Sequence, residues 1–254
     1  MTAESEDGSV TTTSDVREDG TTVTTVISGS AEIDDAVIEA AVSQSTAVSD
    51  RVTDENPSKV IQIGTEDDGA ADVTLSPGSM SAIADTGAEF KVICGTSSMQ
   101  LDSDVVSTLT EPQQDVTVRM SESDDSDLTD AQIQAKGDRF GVTMTATVGD
   151  ERYHLLGGTV TVTIPYTTSM GADPTTLGVF YIDEDGARTF MQSVFDSILN
   201  AFVFQTDHFS LFVIDEAPAQ APADSDDNTM LYVGIAVVVI VIVVAAAEVM
   251  VKKH

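Results

Sequence analysis

The chain has 254 residues, 41% of them apolar, enough for one or two domains with a real core. Its 43 acidic residues outnumber 11 basic ones, and the formal net charge of −32 is spread along the sequence. Such a surface repels nucleic-acid phosphates and anionic lipid headgroups and attracts cations, which excludes nucleic acid as a partner.

In chain order, residues 1–29 form a Thr-rich lead-in, in which Asp-Gly followed by Ser or Thr and a Thr/Val run occurs at Asp7 and again at Asp19. Asp-Gly turns between β-branched residues favour hairpins, and Thr-rich composition also suits a spacer, so an extended, weakly packed segment is expected. Residues 30–57 hold an amphipathic helix predicted from Ser30 to Ser49, followed by a connector. Ile33, Val37, Ile38, Ala41 and Val42 recur at helical spacing, and Asp34 and Asp35 complement the helix dipole near its start.

Residues 58–216 are rich in short β segments. Strands are predicted over 59–64, 71–75, 89–94, 115–120, 140–148, 158–165, 177–183, 201–205 and 209–214, with brief helices over 78–85, 102–109 and 128–135. Many strands separated by turns, with only short helices, point to a β-rich α+β class. An antiparallel extracellular module is expected rather than a parallel α/β enzyme fold. The single cysteine, Cys94, ends the run Phe90-Lys91-Val92-Ile93 and reads as a small buried hydrophobe.

Residues 217–229 are a Pro/Ala-rich acidic linker, and residues 230–251 read as a transmembrane helix. Leu231 to Ala247 contains no charge, and its Leu, Ile and Val residues, Leu231, Val237, Ile240 and Val244 among them, together contribute on the order of −4 kcal/mol to insertion. Glu248, near the end, can snorkel. Lys252 and Lys253 in the tail, residues 252–254, place the C-terminus in the cytoplasm by the positive-inside rule and the acidic region outside. The first residues, Met1-Thr-Ala-Glu-Ser-Glu-Asp, lack a basic n-region and an apolar h-region. A processed or truncated form is therefore expected, in preference to a tail-anchored protein.

Gly158-Thr-Val-Thr-Val-Thr-Ile-Pro-Tyr-Thr, then Ala172-Asp-Pro, Val179-Phe-Tyr-Ile-Asp-Glu-Asp-Gly and Phe204-Gln-Thr-Asp-His-Phe-Ser-Leu-Phe-Val form an ordered string of motifs. Upstream stand Val73-Thr-Leu-Ser, Ala82-Ile-Ala-Asp-Thr-Gly-Ala and Asp127-Leu-Thr-Asp-Ala-Gln. Together, over about residues 58–215, they resemble a module of prokaryotic cell-surface proteins of the kind found beside S-layer homology repeats. The resemblance implies a surface-exposed structural or adhesive β-rich module with no catalytic residue set. No S-layer homology repeat is found here. A lone membrane helix without a wall-sorting motif fits an archaeal envelope better than a thick-walled bacterial one.

His154 and His208 are the histidines outside the tail, and Asp207-His208-Phe209-Ser210 brings acid, base and hydroxyl close in sequence. Strand alternation points neighbours to opposite faces, so a triad is not expected there. No nucleophile elbow, P-loop, dinucleotide fingerprint, zincin motif or Cys-x-x-Cys occurs, and no enzyme is expected.

Clusters at Asp124-Asp125-Ser-Asp127, Asp183-Glu184-Asp185-Gly186, Glu66-Asp67-Asp68-Gly69 and Asp224-Ser-Asp226-Asp227 offer oxygen ligands to Ca²⁺, though none completes a twelve-residue EF-hand loop. Asp124, Asp125, Asp127, Asp183 and Asp185 are the candidate ligands, although Asp183 to Gly186 is better explained as a hairpin turn between Val179 to Ile182 and the strand after Gly186. The expectation is a non-catalytic, single-pass cell-surface protein that contacts envelope proteins or glycans. The alternative is a ligand-binding receptor ectodomain acting with a partner subunit.

Overall fold

The computed structural model describes residues 2–4, 10–28, 33–52, 58–65, 70–166 and 173–218. In chain order the elements are β1 (Thr2–Glu4), β2 (Val10–Val16), β3 (Thr22–Ser28), α1 (Asp35–Ser49), β4 (Lys59–Thr65), β5 (Ala70–Leu75), α2 (Pro77–Ala84), β6 (Glu89–Cys94) and β7 (Ser97–Leu101). They continue as α3 (Ser103–Thr110), β8 (Val116–Glu122), α4 (Asp130–Lys136), β9 (Gly141–Val148), β10 (Glu151–Tyr153), β11 (Leu155–Pro165), β12 (Leu177–Ile182), β13 (Arg188–Met191), β14 (Ser193–Asp196), β15 (Ala201–His208) and β16 (Leu211–Glu216).

Helix starts follow local chemistry. Ser76, just before Pro77, accepts a hydrogen bond from the Ser79 N–H at 3.1 Å, and Asp102 accepts one from the Val105 N–H at 2.9 Å. Thr129 and Gln132 close a capping box on α4. Each cap satisfies backbone donors that the first helical turn leaves without partners.

Two sheets form. The larger runs β1-β2-β3-β4-β6-β7-β11-β15-β14, and the smaller runs β13-β12-β16-β9-β8-β5 with β10 paired to β9. One apolar cluster joins inward side chains of the larger sheet (Ile61, Phe90, Met99, Val162) to those of the smaller (Val118, Met144, Phe212) and to Ile38, Ile83 and Val106 of α1, α2 and α3. The core-facing side of the larger sheet is therefore covered by the smaller sheet and three helices. The protein is a β-rich α+β fold.

Two features depart from the sequence reading. The sheets are mainly antiparallel, but β3–β4 and β4–β6 are parallel ladders, because α1 and then β5 with α2 supply the crossovers that parallel neighbours require. The described parts of the lead-in, residues 2–4 and 10–28, do not stand apart from the module. β2 and β3 form a hairpin around Asp19-Gly20, with Gly20 at φ +83°, and β3 pairs with β4 while its buried Thr22, Thr24, Val26 and Ser28 alternate along the strand. Alternating β-branched residues give that hairpin one packable face. Cys94 is 5% exposed and belongs to the core.

The segment 230–251, with Leu231, Val237, Ile240 and Val244, and the flanking Lys252 and Lys253 lie outside the described residues. Among the described residues no helix is long and apolar enough to cross a membrane.

Candidate functional site

Two concave regions carry most of the polar chemistry. The first is a cleft of about 590 Å³ where the β12–β13 turn meets the start of α4. β12 and β13 pair from Ile182↔Arg188 to Val179↔Met191, which makes Asp183 to Gly186 a hairpin turn. Asp183 Oδ1 accepts hydrogen bonds from the N–H groups of Asp185 at 3.0 Å and Ala187 at 2.7 Å, and Gly186 takes φ +80°. Thr129 Oγ1, at the cap of α4, donates to the Glu184 carbonyl at 2.9 Å, and so brings two acidic segments distant in sequence into one cleft.

Asp127, Asp183 and Asp185 line this cleft together with Arg152, His154 and His208. Asp124 and Asp125 are engaged nearby. Asp124 accepts from the Ser126 N–H at 3.0 Å, and Asp125 pairs with Lys136 Nζ at 3.0 Å. Among the described residues no three of Asp, Glu, His and Cys converge as a metal site would require. Residues 66–69 and 224–227 lie outside the described residues.

The Asp207-His208-Ser210 segment differs from its expected geometry in one contact. Strand alternation separates neighbouring side chains, yet Asp207 Oδ1 lies 2.7 Å from His208 Nδ1, because at the end of β15 the exposed carboxylate folds back onto the adjacent ring. That hydrogen bond holds the Asp207 carboxyl below its ordinary pKa. Ser210 Oγ donates instead to the Ile182 carbonyl at 3.2 Å, and His208 Nε2 is buried without a hydrogen-bond partner. Acid and imidazole meet, but the hydroxyl is engaged elsewhere and no relay forms.

The second region is a groove of about 970 Å³ on the outer face of the larger sheet, open between the Arg17–Thr21 turn and the Ser197–Leu199 turn. The registers align Thr25, Gln62, Lys91, Gln100, Thr161 and Gln205 in one transverse row over β3, β4, β6, β7, β11 and β15. Gln62 Nε2 donates to Thr25 Oγ1 at 3.2 Å, and Gln100 Nε2 donates to Glu89. Glu89, Gln100, Thr161 and Gln205 line the groove. Lys91 shares the face of Glu89, two residues earlier on β6, and is only 1% exposed.

Lys91 Nζ and Gln100 Oε1 are both buried with no hydrogen-bond partner. Burial pushes the Lys91 ammonium down to about 8, with repulsion from the Arg17 guanidinium as the second cause. Burial also lowers Arg17, against the pull of Asp19 and Glu89. Sequence reasoning did not single out these residues. The available signal was a lone lysine within the strand run Phe90 to Cys94, at a position whose neighbours on either side are core residues.

Fold and groove together define a β-rich α+β module that carries a polar recess on the outer face of its larger sheet. No protein-family model matches this chain, and no curated protein is similar to it in sequence.

Proposed function

We propose that this protein is a single-pass, membrane-tethered cell-surface module with a structural or adhesive role and no catalytic activity. The observation that carries this reading is the uncharged run Leu231 to Ala247, preceded by the acidic linker and followed by Lys252 and Lys253. A run of that length prefers hydrocarbon to water, and its flanking charges orient it with the acidic module outside. The motif string over about residues 58–215, which resembles modules of prokaryotic surface proteins, supports the same reading. The acidic shell keeps such a module hydrated beside a membrane and recruits cations to it, Ca²⁺ among them. Envelope proteins or glycans are the partners.

Carbonate washing of membranes and external protease on intact cells test this reading. The protein stays in the washed membrane and its acidic region is digested from outside. Release by the wash contradicts a spanning helix, and protection from protease contradicts the orientation. The groove on the larger sheet favours a second reading, a ligand-binding receptor ectodomain that acts with a partner subunit.

A further inference from the structure

We propose that the groove on the outer face of the larger sheet docks a segment of a partner protein in which a lysine or arginine stands beside an apolar side chain. The proposal rests on reading the β-rich region as the contact module, and it is independent of the membrane tether.

Three observations carry it. First, two carboxylates that line the groove each keep an oxygen that no group of the protein occupies. Glu89 accepts the Gln100 amide through Oε2, and Asp196 accepts the Ile198 and Leu199 N–H groups through Oδ1 at 2.8 and 3.0 Å. Glu89 Oε1 and Asp196 Oδ2 make no hydrogen bond and are not among the unpartnered atoms that the fold buries, so a donor from outside can reach them. With the exposed Asp19 on the same groove, Arg17 is outnumbered there as the one cation among the described lining residues. Second, one wall is apolar, with Val194 41% and Ile198 77% exposed beside Phe195 and Leu199. An apolar side chain laid on that wall is taken out of water. Third, the groove, at about 970 Å³, has room for several side chains, and the net charge of −32 steers a partner's cation towards it.

Competing occupants fit less well. A second copy of the chain brings 43 acidic residues against 11 basic ones and is repelled. Among the described residues no three of Asp, Glu, His and Cys converge to hold a metal ion, and the apolar wall offers nothing to a hydrated one. The carboxylates oppose an anionic glycan. A neutral saccharide is the remaining rival, and the experiment sets it beside the peptides.

The full chain in non-ionic detergent micelles is applied to an array of Gly-Ser peptides. Each peptide carries one central pair drawn from Lys, Arg, Glu or Ser followed by Leu, Phe or Ser. A parallel array carries hexose and N-acetylhexosamine oligosaccharides. The Kd of a retained peptide is then measured by calorimetry for the wild type, Ile198→Ser, Glu89→Gln, Asp196→Asn and, as a control outside the groove, Phe190→Ser. Peptides pairing a basic with an apolar residue are retained in preference to those with either alone and to oligosaccharides. Ile198→Ser and Glu89→Gln each weaken binding by about fivefold or more, and Phe190→Ser leaves it unchanged, while circular dichroism shows the fold kept. Retention of no peptide, retention regardless of the basic or the apolar residue, or retention of oligosaccharides in their place overturns the proposal. So does an unchanged Kd in Ile198→Ser, or an equal loss in Phe190→Ser. If Glu89→Gln does not fold, an unchanged Kd in Asp196→Asn overturns it. Release of the protein by the carbonate wash contradicts the tether and leaves these outcomes unaltered, so the two failures are told apart.

Discussion

Lys91 and Gln100 face each other across the β6–β7 ladder, and neither the Lys91 ammonium nor the Gln100 side-chain carbonyl reaches a hydrogen-bond partner. A charge held in that way costs stability, and the same burial pushes the Lys91 ammonium down to about 8. Below about pH 8 the amine is charged in both native and unfolded chains, so the full penalty applies. Between about 8 and the unfolded value of 10.5 the native chain binds fewer protons, and stability rises with pH. Lys91→Met should therefore stabilise the protein at neutral pH by on the order of 3 kcal/mol, and its advantage should shrink through that alkaline window. Urea unfolding at both ends of the window checks it; a gap that is constant or grows with pH would contradict the buried charge.

Asp215 ties the last described strand to two distant arginines. Its Oδ2 lies 2.6 Å from Arg139 Nε and 2.5 Å from Arg188 Nη2, and Arg188 also stacks 4.5 Å over the Phe180 ring. Burial raises the carboxyl pKa, but hydrogen bonds from Arg188, the Glu216 N–H and Arg139 outweigh it, and the net shift is downward. A depressed carboxyl contributes its stability above its unfolded pKa and loses it as pH falls through the folded value. Asp215→Asn should cost roughly 1–3 kcal/mol at neutral pH. The difference should close in acid, once the wild-type carboxyl is protonated in both states; denaturant melts at the two pH values read it directly.

Gly186 and Gly87 separate backbone strain from collision. Both take positive φ, +80° and +65°, but a Cβ on Gly186 would lie 2.7 Å from the Ala131 carbonyl oxygen, whereas one on Gly87 meets nothing within 4 Å. Gly87→Ala should cost about 1 kcal/mol. Gly186→Ala should cost clearly more and loosen the contact between the β12–β13 turn and α4. Melting temperatures of the two variants test the ordering, and equal losses would remove the collision argument.

A net charge of −32 makes self-repulsion a measurable part of the folding balance. Raising monovalent salt from about 0.1 to 1 M shortens the Debye length from about 10 to 3 Å, so the melting temperature should rise. CaCl₂ at matched ionic strength separates a diffuse field from a held ion. A shift equal to that of NaCl indicates screening alone, and a larger one indicates a specific Ca²⁺ site.

Much of the local structure was legible because its signals are short-range. The strands β4, β6, β9 and β12 carry inward branched or aromatic residues, and their predicted bounds agree with the observed ones to within a residue. The helices α2 and α4 begin where Ser76-Pro77 and Thr129-x-x-Gln132 provide caps. β7 and β14 escaped notice because each is too short for apolar alternation to show. The Thr-rich segment of β2 and β3 reads locally as a hairpin or a spacer and was placed outside the module as an extended, weakly packed lead-in, since nothing local announces that β3 pairs in parallel with β4.

The sequence by itself determined the acidic surface, the periodicity of strands and helices, and the expectation of a membrane tether, because charge and hydropathy are sums over neighbouring residues. Only the tertiary structure decided that Thr25, Gln62, Lys91, Gln100, Thr161 and Gln205 share one row. A one-residue slip in any ladder would turn that strand's side chains to the opposite face. Register between strands far apart in the chain is set by packing of the common core, and no local run of residues encodes it.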